Sequence, residues 1–165
     1  LSKYGIPELT RFKGVGEAKA ISIIAALELG RRRLDTEFQT KEQIKSSNHA
    51  FQLMKSELMD LPHEEFWLLC VNRANKPINK VLIGRGGIAG TVVDIKLIFK
   101  SALENLASAI ICFHNHPSGN LKPSQQDIQL TKKIKEAGRV MDIPMLDHII
   151  VSDHNYFSFA DNEML

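Results

Sequence analysis

The stretch between residues 109 and 138 limits the fold of this 165-residue chain more than any other segment. Ala109–Phe113 is a short apolar run, which is typical of a buried strand. His114 and His116 follow it, and they project together because residues i and i+2 of a strand point to the same face. Turn-forming residues come next, and a helical pattern begins at Ser124. The sequence therefore predicts a strand, a loop and a helix, with two imidazoles at the junction.

A carboxylate at the start of the predicted helix adds a third candidate ligand. Asp127 stands eleven residues after His116, in the first helical turn, where it can face the end of the strand. Two imidazole nitrogens and one carboxylate oxygen leave a fourth tetrahedral position for water, which is the arrangement of an open catalytic zinc site. The spacing therefore predicts that His114, His116 and Asp127 bind Zn²⁺.

Structural interpretations of the same residues stay open. Ser124–Asp127 has the pattern S-x-x-D of a capping box, in which the serine hydroxyl and the carboxylate satisfy free backbone donors. A histidine at the end of a strand can also be a packed or solvated residue. The close histidine pair, the Pro-Gly loop and the carboxylate at a helix start together favour the metal site. Ser124 can cap the helix and still point its hydroxyl into that site.

The spacing H-x-H-P, then six residues, then S-x-x-D resembles the metal signature of the JAMM (JAB1/MPN-type) metalloproteases. The segments Phe113–Gly119, Pro123–Ser124 and Leu146–Val151 resemble one bacterial branch, the RadC family. The likeness extends from an N-terminal hairpin to Ser158–Ala160, so it covers nearly the whole chain. It implies an α/β fold with a JAMM/MPN-like mixed β-sheet flanked by helices. His148 belongs to the same pattern; we interpret it as structural, with a place beside the metal site as the alternative.

The resemblance also implies a general base before an apolar strand upstream of the histidine pair. That strand is Phe66–Val71, and both Glu64 and Glu65 precede it. The family pattern Glu-x-Phe assigns the role to Glu64, which shares a face with Phe66 by strand period, whereas Glu65 points the other way. The alternative is that both glutamates are solvated residues at a strand start.

The implied reaction is zinc-dependent hydrolysis of a peptide or isopeptide bond. Glu64 would take a proton from the attacking water and deliver it to the leaving amine. Ser124 would donate a hydrogen bond to the developing oxyanion. The implied partner is a peptide or protein substrate, whose identity the sequence does not give.

Two other enzyme classes are excluded. Residues 114–116 spell HNH, but nucleases given that label draw the three residues from separated positions of a ββα unit. Zinc deaminases need a P-C-x-x-C pair, whereas this chain has only Cys70 and Cys112. Both cysteines lie in apolar strands, so we predict buried thiols in a reducing cytoplasm. The sequence has neither an apolar run near the ~18 residues of a membrane span nor a signal-peptide pattern.

The N-terminal segment has a different character. Residues 1–33 carry seven Lys and Arg against three acidic residues, whereas the other 132 residues carry 14 basic and 16 acidic groups. Phe12–Ala20 resembles the turn of a helix-hairpin-helix unit, ahead of a predicted helix over Glu17–Gly30. Such turns bind the DNA backbone through glycines and a helix N-terminus. The candidate contacts, within residues 11–20, are Gly14, Val15, Gly16 and Lys19. The alternative is a small helical unit that only packs.

The elements and boundaries follow from these patterns. We predict a partial helix-hairpin-helix segment over 1–34, a linker over 35–42 and a JAMM/MPN-like domain over 43–165. The chain opens at Leu1 without a Met, so we expect it to belong to a longer protein. Beyond the elements already given, the periodicity predicts helices over about Lys41–Met59, Asp94–Leu106 and Ser124–Gly138 and strands near Ile78–Gly84, Met145–Val151 and Tyr156–Phe159.

Three functions from different classes stay open. The first is an active zinc metallopeptidase. The second is a DNA-associated factor of repair type that binds weakly through the hairpin. The third is an inactive metal-binding or interaction domain, which the complete set of Glu64, His114, His116, Ser124 and Asp127 disfavours. The oligomeric state stays open as well.

Overall fold

A computed structural model describes residues 5–36, 42–86, 93–152 and 155–165. The chain divides into two compact units, residues 1–40 and 41–165. Of the predicted linker over 35–42, residues 37–41 lie outside the described residues, whereas residues 35 and 36 belong to a helix. None of the helices in the described ranges is long and apolar enough to cross a membrane.

The first unit contains helices α1, Ile6–Leu9, and α2, Glu17–Thr36. Pro7 stands in the first turn of α1, where its missing N–H costs nothing. The connecting turn contains Gly14 in the left-handed region, with φ of 86°. The predicted end of α2 at Gly30 is wrong: a helical glycine costs only about 1 kcal/mol relative to alanine, and the arginines and leucine that follow it are good helix formers.

The second unit alternates helices and strands. Its elements are α3 Ser47–Leu58, β1 Glu65–Val71, β2 Pro77–Arg85, α4 Ile95–Glu104, β3 Ala109–Asn115, α5 Gln125–Val140, β4 Met145–Val151 and β5 Tyr156–Ser158. The predicted helix start at Lys41 is wrong. Ser46 caps α3 by accepting a hydrogen bond from the His49 backbone N–H, while the extended Ile44 donates to the carbonyl of Asn75 at 2.8 Å.

The strands form one five-stranded sheet in the order β2-β1-β3-β4-β5. The β1–β2, β1–β3 and β4–β5 pairs are antiparallel, whereas β3 and β4 are parallel. Because parallel neighbours need a crossover, α5 connects β3 to β4 across the sheet. The predicted α/β class, with a mixed sheet flanked by helices, is confirmed. In the register of this sheet His114 lies between Phe66 and Ile150.

The core explains why β3 is apolar at every position before His114. All seven residues of β3 are buried, because a central strand is covered on both faces. One cluster joins β1 and β3 to α4 and α5, and its buried members include Phe66, Leu68, Cys70, Ile98, Phe99, Ile110, Cys112 and Ile134. The two histidine candidates therefore stand at the end of a strand that is buried along its whole length.

Helix α5 packs closely at its C-terminal end. A Cβ added at Gly138 would lie 2.5 Å from the carbonyl oxygen of Ile143. The sequence predicts Gly138 as the end of the helix, but α5 continues to Val140. Gly138 allows the helix and the loop that follows it to approach each other closely; it does not end the helix.

Candidate metal centre

The three predicted ligands converge at the junction of β3 and α5. The Nε2 atoms of His114 and His116 are 2.9 Å apart. The carboxylate of Asp127 lies 3.2 Å from His114 Nε2 through Oδ1 and 3.7 Å from His116 Nε2 through Oδ2. Tetrahedral zinc with bonds of about 2.0–2.1 Å would separate its ligand atoms by roughly 3.3 Å. The two imidazole nitrogens and the carboxylate are therefore close to the spacing that the ligands of one tetrahedral ion need, and one ligand atom from each residue lies within 4.8 Å of the others.

The sheet positions both histidines. The pairing of β3 with β4 continues to His116, whose N–H donates to the carbonyl of Val151 at 2.9 Å. The backbone is therefore extended through the whole H-x-H motif, and the two rings lie on one face with centroids 4.8 Å apart.

Asp127 satisfies the capping interpretation and the ligand interpretation together. Its Oδ2 accepts a hydrogen bond from the Ser124 N–H at 2.7 Å, and its own N–H donates to Ser124 Oγ at 3.2 Å. This capping box holds the carboxylate at the start of α5 with Oδ1 directed to His114. Burial opposes ionisation, but the neighbouring His114 and the hydrogen bonds of Ser124 outweigh it, so the pKa of Asp127 lies well below its usual range.

The ring of His116 presents a lone pair to the site. Its Nδ1 lies 2.5 Å from the carbonyl oxygen of Asn120. A carbonyl oxygen only accepts, so Nδ1 carries the hydrogen and the neutral ring leaves Nε2 as an acceptor. Nε2 of His114 faces it at 2.9 Å. The donor set of two imidazoles and one carboxylate suits zinc.

His148 lies directly behind His114, with 2.9 Å between His148 Nε2 and His114 Nδ1. Its side chain is fully buried. Burial lowers the pKa of His148 well below its ordinary value, and the neighbouring His114 lowers it further. The favoured structural interpretation of His148 is therefore incomplete, because the ring is in direct contact with a candidate ligand.

Glu65 faces away from the metal site. Its Oε1 lies 2.9 Å from His63 Nε2 and 2.8 Å from Arg85 Nε, and its Oε2 accepts from Trp67 Nε1 at 2.8 Å. Phe66 faces the opposite way, with its ring stacked 6.1 Å from that of His114. Glu64 precedes β1, and strand alternation extended by one residue predicts that it shares the face of Phe66. The catalytic role of Glu64 stays a prediction, as does that of Ser124.

Asn115, between the two histidines, has a function that the sequence did not indicate. Its side-chain Oδ1 accepts from the Glu65 N–H at 2.7 Å, and its Nδ2 donates to the carbonyl of His63 at 2.9 Å. The amide therefore holds the chain on both sides of Glu64. The alternation of side chains along β3 is the signal that predicts this orientation, since Asn115 must point away from the metal face.

The predicted DNA-contacting turn belongs to the first unit. Lys19 Nζ donates to the carbonyl of Gly14 at 2.9 Å, which closes the turn. A Cβ at Gly14 or at Gly16 would meet nothing within 4 Å, so the backbone is open to approach there. DNA contact through Gly14, Val15, Gly16 and Lys19 stays a prediction.

Comparison with known proteins identifies the relatives of this chain. A family model described as the RadC-like JAB domain matches residues 44–164. A UPF0758 protein of Flavobacterium johnsoniae is 52% identical over 161 residues, covering 98% of this chain and 70% of the relative. A UPF0758 protein of Porphyromonas gingivalis is 44% identical over 167 residues, with coverages of 100% and 74%. One of Bacillus cereus is 40% identical over 156 residues, with coverages of 94% and 69%. Together with the H-x-H-P and S-x-x-D residues at the β3–α5 junction, these matches show that the chain belongs to the RadC family of JAB-domain proteins.

Proposed function

We propose that this protein is a zinc-dependent hydrolase, a metallopeptidase that cleaves a peptide or isopeptide bond by attack of water. The observation that carries the proposal is the convergence of His114 Nε2, His116 Nε2 and the Asp127 carboxylate within 4.8 Å of one another. Three protein ligands leave a tetrahedral ion one open position, which distinguishes catalytic from structural zinc sites. When bound, zinc supplies a Lewis acid that brings the pKa of water to about 7.

Glu64 is the proposed general base. It precedes β1, and strand alternation predicts that it shares the face of Phe66, whose ring contacts those of His114 and His148. In the proposed reaction its carboxylate takes the proton of the attacking water and then delivers it to the leaving amine. The hydrogen bonds of Asn115 hold the peptide groups on both sides of Glu64, so the base is positioned by the strand that carries the ligands.

Ser124 is the proposed oxyanion donor. Its Oγ accepts the Asp127 N–H, which leaves the hydroxyl hydrogen to be donated. A substrate carbonyl at the site would receive it as negative charge develops on the oxygen, a contribution of roughly 3–4 kcal/mol in other enzymes.

The test combines metal content with cleavage of a peptide library. Glu64→Gln should retain zinc and lose at least roughly a hundredfold in turnover, because the base moves protons without binding the ion. Glu104→Gln is the matched control, since Glu104 is exposed on α4 in an ion pair with Lys100. A Glu64→Gln variant that cleaves as fast as this control would overturn the assignment of the base.

A second candidate function is weak binding of the DNA backbone by the first unit. The observation that favours it is the turn closed by Lys19 and Gly14 ahead of the N-terminus of α2. Lys13→Glu should reduce affinity equally for all DNA sequences and reduce the salt slope by roughly 0.9. The control Lys133→Glu makes the same charge change on α5. Equal mobility shifts for the two variants would contradict this function.

We also propose a cytoplasmic location. Cys70 and Cys112 are both free and buried, which suits a reducing compartment. A DNA-repair role would follow only from the second candidate function.

A further inference from the structure

We infer that Thr131 and His148 are positioning residues that fix the tautomer of His114, so that its Nε2 is the atom available to a metal ion. The inference rests on the metal site of the proposed function. It assigns a role to two buried polar residues, each at most 1% exposed, that neither bind the ion nor touch the reacting atoms.

The observation is a continuous series of hydrogen bonds between two ligands. Thr131 Oγ1 lies 2.6 Å from the backbone carbonyl oxygen of Asp127 and 2.6 Å from His148 Nδ1. His148 Nε2 lies 2.9 Å from His114 Nδ1. The series therefore begins at the main chain of one candidate ligand and ends at the ring of another.

Hydrogen-bond chemistry gives this series one direction. The Asp127 carbonyl only accepts, so the Thr131 hydroxyl hydrogen must point to it. The hydroxyl oxygen then accepts from His148, which places a hydrogen on His148 Nδ1. A neutral His148 has an acceptor at Nε2, and His114 donates to it from Nδ1. The free lone pair of His114 is thereby at Nε2, toward Asp127 and His116.

The reverse direction is blocked at Thr131. Reversal would direct the hydroxyl hydrogen to His148 Nδ1 and leave Thr131 Oγ1 and the Asp127 carbonyl oxygen 2.6 Å apart with no hydrogen between them. Two acceptor oxygens at that separation repel. The reversed series would also place a hydrogen on His114 Nε2, where it would exclude a metal ion.

The surroundings of His148 keep the ring neutral, and only a neutral ring has an acceptor at Nε2. The ring is fully buried and lies between Phe159, stacked at 5.0 Å, and Phe66 at 5.5 Å. Its two nitrogens contact a hydroxyl and an imidazole. A charged imidazolium in this apolar sandwich would be strongly disfavoured.

The tautomers can be measured directly in the wild-type protein. Long-range ¹H–¹⁵N correlation spectra of the protein labelled with ¹⁵N-histidine should show His148 protonated at Nδ1, both before and after zinc is added. His114 should be protonated at Nδ1 in the zinc-loaded protein. A wild-type spectrum with the His148 hydrogen on Nε2 would overturn the inference.

A matched pair of variants distinguishes the effect of the Thr131 hydrogen bonds from the effect of its side-chain packing. Thr131→Val keeps the side-chain shape but lacks the hydroxyl, whereas Thr131→Ser keeps the hydroxyl. Zinc affinity, measured by competition with a chelating indicator, should fall roughly 10–100-fold in the valine variant. The serine variant should stay close to wild type, and only the valine variant should populate the Nε2–H form of His148. Equal affinities and equal tautomers in the two variants would contradict the inference.

Two further outcomes are informative. If Thr131→Val does not fold, the wild-type tautomer spectrum still decides the question, because it needs no substitution. If the wild-type protein binds no zinc, the proposed function fails, whereas the zinc-free spectrum still tests the direction of the hydrogen bonds.

Discussion

At the scale of single residues, two neighbouring glutamates of one sequence pattern have different predicted roles. Glu65 is 3% exposed and makes three side-chain contacts with His63, Trp67 and Arg85. Strand alternation predicts that Glu64, which precedes β1, points to the opposite face. A one-residue shift of the strand would exchange them, because alternate side chains point to opposite faces. Because Phe66 pairs with His114, strand alternation predicts that Glu64 is the glutamate that faces the candidate metal site.

Glu65→Gln should therefore affect stability and not the chemistry. The amide keeps the shape but weakens the bonds to Arg85 and His63, and we expect a loss of about 1–3 kcal/mol in the free energy of unfolding. Urea denaturation measures this loss, and zinc content should not change. A variant as stable as wild type would show that the buried carboxylate contributes nothing beyond its shape.

The two cysteines give a prediction on pH. Burial raises the pKa of the Cys70 thiol from 9.0 to about 11 and raises that of Cys112 as well. In the unfolded chain both thiols ionise near pH 9, so the folded state holds more protons between pH 9 and 11. The contribution of the two buried thiols to the free energy of unfolding is therefore fully present below about pH 9, and it is lost as the pH rises through this window. Denaturation at pH 8 and pH 10.5 should show a smaller loss in the Cys70→Ala and Cys112→Ala double variant; an equal loss would contradict the assignment.

At the scale of elements, β1 and β3 are joined by their backbone hydrogen bonds and also by the side chain of Asn115. Asn115 is 3% exposed and bonds to backbone groups on both sides of Glu64. Asn115→Ala should keep zinc, since the neighbouring ligands are held by β4 and α5, but should lower kcat more than it changes KM. Asn115→Asp is the informative comparison, because it retains the acceptor for the Glu65 N–H and loses the donor. A normal kcat in both variants would show that Glu64 needs no such support.

Gly138 in α5 and Gly30 in α2 allow the close packing at Gly138 to be compared with an open helical position. Gly138→Ala should destabilise the protein by about 1–3 kcal/mol, because the new Cβ would lie 2.5 Å from the Ile143 carbonyl oxygen. Gly30→Ala, at a position in α2 where a Cβ meets nothing within 4 Å, should stabilise that helix by about 1 kcal/mol. Thermal unfolding followed by circular dichroism measures both changes. Destabilisation by both would mean that helix propensity and packing do not explain the difference.

The sequence predicted what depends on local periodicity and missed what depends on register between distant segments. The strand over 109–113, the start of α5 at its cap and the convergence of the three candidate ligands all follow from spacing within one stretch. The contact of His148 with His114 joins residues 34 positions apart, and it needs the parallel pairing of β3 with β4. The start of α3 was missed because Ser46 competes as a cap with the earlier polar residues. Thr131 was visible as the i+4 neighbour of Asp127, but only the packing of β4 on α5 gives it a partner.

At the scale of the whole molecule, metal binding should add to the stability of the fold. Zinc that binds the folded state stabilises it by about 2.7 kcal/mol when the free concentration is a hundred times Kd. Adding zinc should therefore raise the Tm, and a chelator should lower it again. His114→Ala combined with His116→Ala should abolish both zinc content and the shift. Full zinc in the double variant would contradict the ligand assignment.

If the chain binds zinc as proposed, the sequence positions of the proposed ligands and of the residues that support them give a prediction about folding order. His114, His116 and Asp127 stand within one strand–loop–helix segment, whereas His148 arrives with β4, after the whole of α5. Contacts between distant segments form late, because loop closure has to precede them. A chain that has formed only β3 and the start of α5 would thus hold a loose, low-affinity chelate, with the His114 ring free to exchange its hydrogen. Tight zinc binding would appear only when β4 pairs with β3. The rate at which zinc affinity develops during refolding would therefore measure how fast this parallel pair forms.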